Sequence, residues 1–435
     1  MKKQIIFLVT LFVLVIASCS KSDDPAPTPP AAENPIEISS FGPNTGAKNT
    51  IVTITGKGFS GNATSNAVTL NDKVCPVLQA STTQLTISVP PKSVTGNFKV
   101  TVNGFSQESS IFTYVDTVTV STLAGSSAGF ADGQDSAAQF GTPRDIAVDA
   151  TGNVYVADFG NNKIRKITPT GMVSTFAGST SGTAEGQGTA AQFTNTRAIA
   201  IDFSGNLYVA DAGNNKIRKI TPSGLVSTLA GGTVGFADGQ GTAAQFDSPT
   251  GIITDMSGNL YVADSDNDKI RKITPTGVVT TIAGSTRGFA DGQGGLAQFN
   301  DPTGITLDSL GNLFVIDENT HKIRKITPTG LVSTIAGSTQ GFTNGQGTAS
   351  QFFLPFGITI DASGNLFVAD ASNHQIRKIT PSGLVTTIAG SSSGYQDGSG
   401  INAKFSNPNG LKVDANGDII VVDKANHKIR KIVID

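Results

Sequence analysis

From residue 118 onward the chain repeats itself every 53 residues, and little else about it constrains the fold so tightly. Asp158, Asp211, Asp264, Asp317, Asp370 and Asp423 keep that spacing, and their surroundings repeat with them, as in Gly152-Asn153-Val154-Tyr155-Val156-Ala157-Asp158. Such a period calls for a propeller or a solenoid. Within one unit Ile146 to Val148, Val154 to Val156, Lys163 to Ile167 and Val173 to Phe176 are short β-type segments, and Thr168-Pro169-Thr170-Gly171 places Pro second and Gly fourth, as a type I turn prefers. Four strands per unit make a propeller blade. Residues 118 to 435 number 318, which is six units of 53. The segment opens on Val120-Ser121-Thr122-Leu123, equivalent to a fourth strand, and closes on Lys428 to Ile432, a third strand. The N-terminal strand is therefore expected to complete the last blade, closing the ring and removing two exposed sheet edges.

Upstream, residues 36 to 116 alternate with period two in Ile51 to Thr55, Ala67 to Leu70, Leu85 to Val89 and Phe98 to Val102, separated by Gly, Asn and Pro turns. That pattern predicts an Ig-like β-sandwich. Phe41-Gly42-Pro43-Asn44-Thr45-Gly46, Ile54-Thr55-Gly56-Lys57-Gly58-Phe59, Val89-Pro90 and Phe112-Thr113-Tyr114 together resemble an IPT/TIG domain. The resemblance implies a spacer or contact module. Cys75, between Val74 and Pro76 with no acid or His nearby, reads as a small buried apolar residue.

Residues 1 to 18 read as a secretory signal peptide, with Lys2 and Lys3 ahead of the apolar run Ile5 to Ala17. Ile16-Ala17-Ser18-Cys19 resembles the lipobox of bacterial lipoproteins, which implies lipidation at Cys19, and Ser20 to Asp24 resembles a Bacteroidetes surface-export tag. Residues 19 to 35, with five Pro from Pro25 to Pro35, form an extended tether. These features predict an outer membrane lipoprotein exposed at the cell surface and touching the membrane through its lipid alone.

The repeats of residues 117 to 435, with Pro-x-Gly-Ile openings and Asn-x-Lys-Ile-Arg-Lys-Ile endings, resemble NHL repeats. The resemblance implies a binding platform, an extracellular sensor or, in relatives, a metal-dependent lyase or lactonase. The fold is thus read as all-β, an Ig-like sandwich followed by a six-bladed propeller. A formal charge of -2 offers no bulk field for a polyanion, so nucleic acid is not expected as a partner. Lys163, Arg165, Lys166 and their equivalents account for 17 of the 31 basic residues and are read as solvated strand faces paired with the Asp158 series. The Asp149 series, just before a turn, is expected to bond that turn's backbone.

His321, His374 and His427 are the chain's three His, 53 apart and equivalent to Asn162, Asn215 and Asp268, so they are read as turn residues on separate blades and not as a metal triad. In the long loop, the acids of the Asp132 series are expected to cap a short helical turn that drops Phe140 and its equivalents between blades. No metal site or cofactor is expected.

A single site requires broken symmetry. Where the loop meets the innermost strand, the residues around the ring are Arg144, Arg197, Thr250, Thr303, Phe356 and Asn409, and the next position holds Asp145, Ala198 and then Gly four times. Two readings stand. Arg144 and Arg197 offer a paired site for a carboxylate or sulfate, flanked by Phe356 and Asn409, or Arg144 pairs with Asp145 or the acidic loops and merely packs. No catalytic constellation emerges, Asp145 being the one isolated acid at this level. The function read from the sequence is non-enzymatic binding of a protein or glycan by a monomeric surface lipoprotein, the alternatives being a lyase- or lactonase-type enzyme and a purely structural or adhesive protein. The absence of Trp weakens sugar stacking, and Tyr395 is the one loop Tyr.

Overall fold

Alternating apolar and polar residues punctuated by turns give strands throughout residues 35–435, the part of the chain that the computed structural model describes, and the only helices among the described residues are three-residue 3-10 turns. The signal segment, Cys19 and nearly all of the tether lie outside the described residues. The chain divides into two compact units, one containing Ile51–Ser88 and Gly96–Phe112, the other containing Thr113–Asp435.

The first unit is an Ig-like sandwich. One sheet orders Glu37–Gly42, Ile51–Lys57, Gln84–Ser88 and Val77–Ala80, and the other orders Thr45–Gly46, Phe105–Tyr114, Gly96–Val102, Ala67–Leu70 and Lys73–Val74. Alternate residues Val52, Ile54, Leu85, Ile87, Phe98 and Val100 are buried, as the period-two pattern requires. Cys75 is buried as well, and burial pushes its thiol up to about 11, the opposite of a reactive thiolate.

The second unit contains six five-stranded sheets. Blade 1 runs outward from the axis as Asp145–Val148, Val154–Asp158, Lys163–Ile167 and Met172–Ala177, all antiparallel. A fifth strand of two residues, Gly133–Gln134, pairs with the outer edge at Val173 and Met172. This strand belongs to the long loop, so the chain leaving one blade clips the outer edge of the next. Two residues are too short for any period to reveal. Ring closure follows the sequence expectation: Val118–Ala124 is the fourth strand of blade 6, registered on Lys428–Ile434 from Val118 opposite Ile434 to Ala124 opposite Ile429.

The long loop carries the expected 3-10 turn, Asp135–Ala137, and drops Phe140, Phe193, Phe246, Phe299, Phe352 and Phe405 into fully buried positions. Its acids do not cap that turn. Asp132 Oδ1 instead accepts from Arg165 Nη2 at 2.5 Å, and Asp132 Oδ2 accepts from the Thr175 amide at 3.2 Å. The third-strand Arg residues accordingly depart from the solvated face expected of them. Arg165 and its five equivalents are 0% exposed, and only the flanking Lys reach solvent. Burial is tolerated because Arg165 Nη1 donates to Asp158 Oδ2 (2.9 Å) and Gln139 O (3.0 Å), and Nη2 also donates to Ala131 O (2.7 Å). A planar guanidinium with five donors suits such a cage. The pairing with the Asp158 series recurs in all six blades.

The Asp149 series bonds its own turn as expected, with Asp149 Oδ1 accepting from the Thr151 and Asn153 amides, each at 2.9 Å. The three His occupy left-handed turn positions, φ 56 to 58°. Their Nδ1 atoms accept backbone N–H groups of the following blade, His321 from Leu354 (3.3 Å), His374 from Asn407 (3.1 Å) and His427 from Thr142 (3.2 Å). Asn162, Asn215 and Asp268 accept from Asn195, Ser248 and Asp301 in the same way. One inter-blade bond is thus made by three residue types that share a short, forward-placed acceptor.

Candidate functional site: the propeller mouth

The innermost strands crowd the axis. A Cβ at Gly251 would lie 1.9 Å from Thr303 O, and one at Gly410 would lie 2.2 Å from Asp145 Oδ1, so four of the six blades need Gly at this level. The central cavity between them, lined by Asp145, Arg197, Thr250, Phe356 and Lys412 among others, holds about 20 Å³. That is room for a single water and excludes a ligand from the channel itself. Asp145 Oδ2 accepts the Ile199 amide at 3.1 Å, and burial raises its carboxyl above the usual range. It is part of the wall that joins blade 1 to blade 2.

Above this plug, at the end of the propeller where the inner strands begin and the second strands finish, the symmetry breaks. Arg144 makes no ion pair with Asp145. Its guanidinium reaches inward, 4.7 Å above the Phe159 ring and 5.7 Å from the Phe356 ring of blade 5. Arg197 Nη1 donates to Thr250 Oγ1 at 3.1 Å. The Nε atoms of both Arg are buried without a partner, as is Asn409 Oδ1. The mouth therefore gathers Arg144, Arg197, Phe356 and Asn409 on equivalent positions of blades 1, 2, 5 and 6, and leaves Asp145 below them.

Three charged residues of this mouth escaped the sequence reading. The position after the Asp158 series is Phe159, Ala212, Ser265, Glu318, Ala371 and Lys424, and the left-handed residue ahead of each inner strand is Thr142, Asn195, Ser248, Asp301, Leu354 and Asn407. Burial and the neighbouring Asp301 push Glu318 up to about 7, opposed by Arg144, Lys424 and Arg197. Burial and the Arg144 charge lower Lys424 to about 8, with Glu318 opposing. Lys424 Nζ donates to Asn407 Oδ1 at 3.2 Å. These groups feel one another's fields, yet among the described residues no ion pair within 4 Å joins any two of Arg144, Arg197, Lys424, Glu318 and Asp301.

Glu318 supplies a pH test. Its folded pKa lies above the ordinary value of 4.5, so its share of stability is complete below about 4.5 and is lost as pH rises towards 7. The loss amounts to about 3 kcal/mol at most. Asp301, Arg144, Lys424 and Arg197 face it and remain in both proteins compared, so Glu318→Gln is expected to flatten this part of the pH profile and to exceed the parent's Tm at pH 7.5. Parallel thermal melts from pH 4.5 to 7.5 give the comparison, and superimposable profiles would contradict it.

The profile for the IPT/TIG domain matches residues 35–119, and the profile for the NHL repeat matches residues 140–167, 299–326 and 405–432. The chain carries an IPT/TIG domain and NHL repeats. The NHL matches fall in blades 1, 4 and 6, and the same sheet order recurs in all six blades. Human NHL repeat-containing protein 2 is 27% identical over 333 residues, an alignment covering 66% of this chain and 46% of that protein. The chain thus spans less than half the length of that curated relative. Among solved structures, a structural genomics protein of unknown function from Bacteroides thetaiotaomicron superimposes with a TM-score of 0.65 at 21% identity, covering 93% of this chain and 99% of its own. An auxiliary nutrient binding protein from Bacteroides ovatus gives a TM-score of 0.59 at 20% identity, covering 94% and 100%. At such identities the likeness concerns the fold of the IPT/TIG and NHL units.

Proposed function

We propose that this chain is a non-enzymatic binding protein whose NHL propeller captures a ligand at its mouth, with an anionic group seated between Arg144 and Arg197. The observation that carries the reading is the pair of inward-facing guanidinium groups on adjacent blades, backed by Phe159, Phe356 and Thr250, neither of which forms an ion pair with an acid among the described residues. An incoming carboxylate or sulfate supplies the charge-assisted hydrogen bonds that these two guanidinium groups do not make with a protein carboxylate. The description of the Bacteroides ovatus neighbour as an auxiliary nutrient binding protein supports a binding role. Lipidation at Cys19 followed by the Pro-rich tether would hold the protein at the outer membrane, facing outward, where a protein or glycan ligand is met.

The test is binding of the full-length chain to an array of acidic glycans and peptides, compared with Arg144→Ala plus Arg197→Ala. Binding to acidic members is expected to fall at least tenfold, the loss of one charge-assisted hydrogen bond or more. An unchanged array would end the reading. Glu318 near 7 and Lys424 near 8 at the same mouth favour a second reading, general acid–base catalysis on a bound acid. Turnover of any array ligand that disappears in Glu318→Gln would select it.

A further inference from the structure

The charges around the mouth are sorted by blade. Lys424, Arg144 and Arg197 stand on blades 6, 1 and 2, which are consecutive because Val118–Ala124 and Lys428–Ile434 close the ring. Across from them, blades 3 and 4 carry Asp266, Asp301 and Glu318; burial and then Asp266 raise Asp301, with Arg197 and Arg287 opposing, and burial and then Asp301 raise Glu318, with Arg144, Lys424 and Arg197 opposing. Blade 5 presents Phe356 and Leu354 at the positions that hold charges elsewhere. A site for a simple anion needs none of this. Acids on its far side would repel the ligand, and among the described residues no ion pair within 4 Å joins Asp301 or Glu318 to a cation, the nearby Arg287 pairing with Asp268 instead.

A second observation shows that the arcs await an occupant. Asn409 is 1% exposed at the position equivalent to Arg144, and its Oδ1 has no donor. A buried acceptor without a donor therefore stands at the mouth, and the cavity beneath is too small for anything larger than one water.

Building on the anion site proposed above, we infer that the ligand is amphoteric, a short free peptide whose carboxylate meets Arg144 and Arg197, whose ammonium group meets Glu318 and Asp301, and whose apolar side chain rests on Phe356 and Leu354. Asp301 and Glu318 then gain a cation in contact, and the ligand's own charges bridge the gap that separates the two arcs. A glycan acid would leave the acidic arc unanswered.

The probe is the tripeptide Ala-Leu-Ala, titrated calorimetrically into the full-length chain beside its N-acetyl and C-amide derivatives. Each capped form is expected to bind roughly tenfold to a hundredfold more weakly than the free peptide. Glu318→Gln and, independently, Asp301→Asn are expected to erase the preference for the free amine while leaving affinity for the N-acetyl peptide unchanged. Arg144→Ala is expected to weaken the free and N-acetyl forms alike. Equal binding of free and N-acetyl peptide, unmoved by either acid variant, overturns the amphoteric ligand and keeps the anion site. Failure of all three peptides, with acidic array members still captured in an Arg144- and Arg197-dependent way, does the same. No Arg-dependent binding of any kind overturns both.

Discussion

Asp264→Ala is expected to destabilise the propeller by about 3–5 kcal/mol and to lower its Tm by on the order of 10 °C, one of the two largest effects foreseen for a point change here. Asp264 and Arg271 are both fully buried, 2.6 Å apart between Oδ2 and Nη1. The same carboxylate accepts the Asp247 amide (2.8 Å) and Asn267 Nδ2 (2.9 Å), so its removal orphans the Asp247 N–H besides the guanidinium and leaves Asn267 Nδ2 with Gly235 O alone. Arg271 would retain Gln245 O, Ala237 O and the exposed Asp238, along with the rings of Phe236 and Phe246 at 4.9 and 5.1 Å, but no buried counter-charge. Asp238→Asn is the control. Its carboxylate touches the same guanidinium at 2.8 Å but is about half exposed, so solvent screens it and the expected cost is below about 1 kcal/mol. Chemical denaturation of the two variants side by side reads the contrast. Equal losses would mean that the buried pair is no more than another surface ion pair.

That contrast also shows where the sequence stops being legible. The period, the strand order, the turn chemistry of the Asp149 series and the ring closure all follow from local pattern, because each depends on residues a few positions apart or on exact repetition. The fate of Arg165 does not. Its acceptors Ala131 and Gln139 lie 34 and 26 positions upstream in a different loop. A Lys-Ile-Arg-Lys-Ile string read alone looks like a wetted strand face, and burial of its central charge is decided by a cage that exists only after folding. The mouth was half legible. Broken symmetry at Arg144, Arg197, Phe356 and Asn409 pointed to the right end of the propeller, since the start of the innermost strand must face the axis. Glu318 and Lys424 break symmetry just as plainly at the position after the Asp158 series, but nothing local in the sequence places the turn between the second and third strands near the axis. Only the fold shows that this turn meets the residue ahead of the inner strand, through the Glu318 amide on Asp301 O and Lys424 Nζ on Asn407 Oδ1.

Val120→Pro is expected to unfold the propeller more severely than Val173→Pro, although the two positions are equivalent and both buried. Each Val sits in a fourth strand between a third strand and the two-residue clip, Val120 opposite Ile432 and Gly398, Val173 opposite Ile167 and Gly133. Proline in such an inner position removes an N–H from the ladder and crowds its neighbour, at a cost of ~3 kcal/mol or more in either blade. The difference lies in connectivity. Val173 is tethered to its partner strand by the turn Thr168 to Gly171, so a loosened strand stays at high local concentration and rejoins. Val118–Ala124 meets Lys428–Ile434 only after the whole ring has been threaded, so the closure entropy of more than 300 residues is recovered by this one pairing. Loss of that pairing also uncovers the buried cluster of Val120 with Phe405, Ile419, Val421 and Ile432 and leaves two free sheet edges. The expected result is a faster unfolding rate, a lower midpoint and concentration-dependent aggregation for Val120→Pro, against a purely local loss of amide protection in blade 1 for Val173→Pro. Hydrogen exchange resolved by blade makes the distinction: exchange spreading from blade 6 into blades 1 and 5 marks an opened ring, and confinement to blade 6 would show that the ring holds its shape without its clasp.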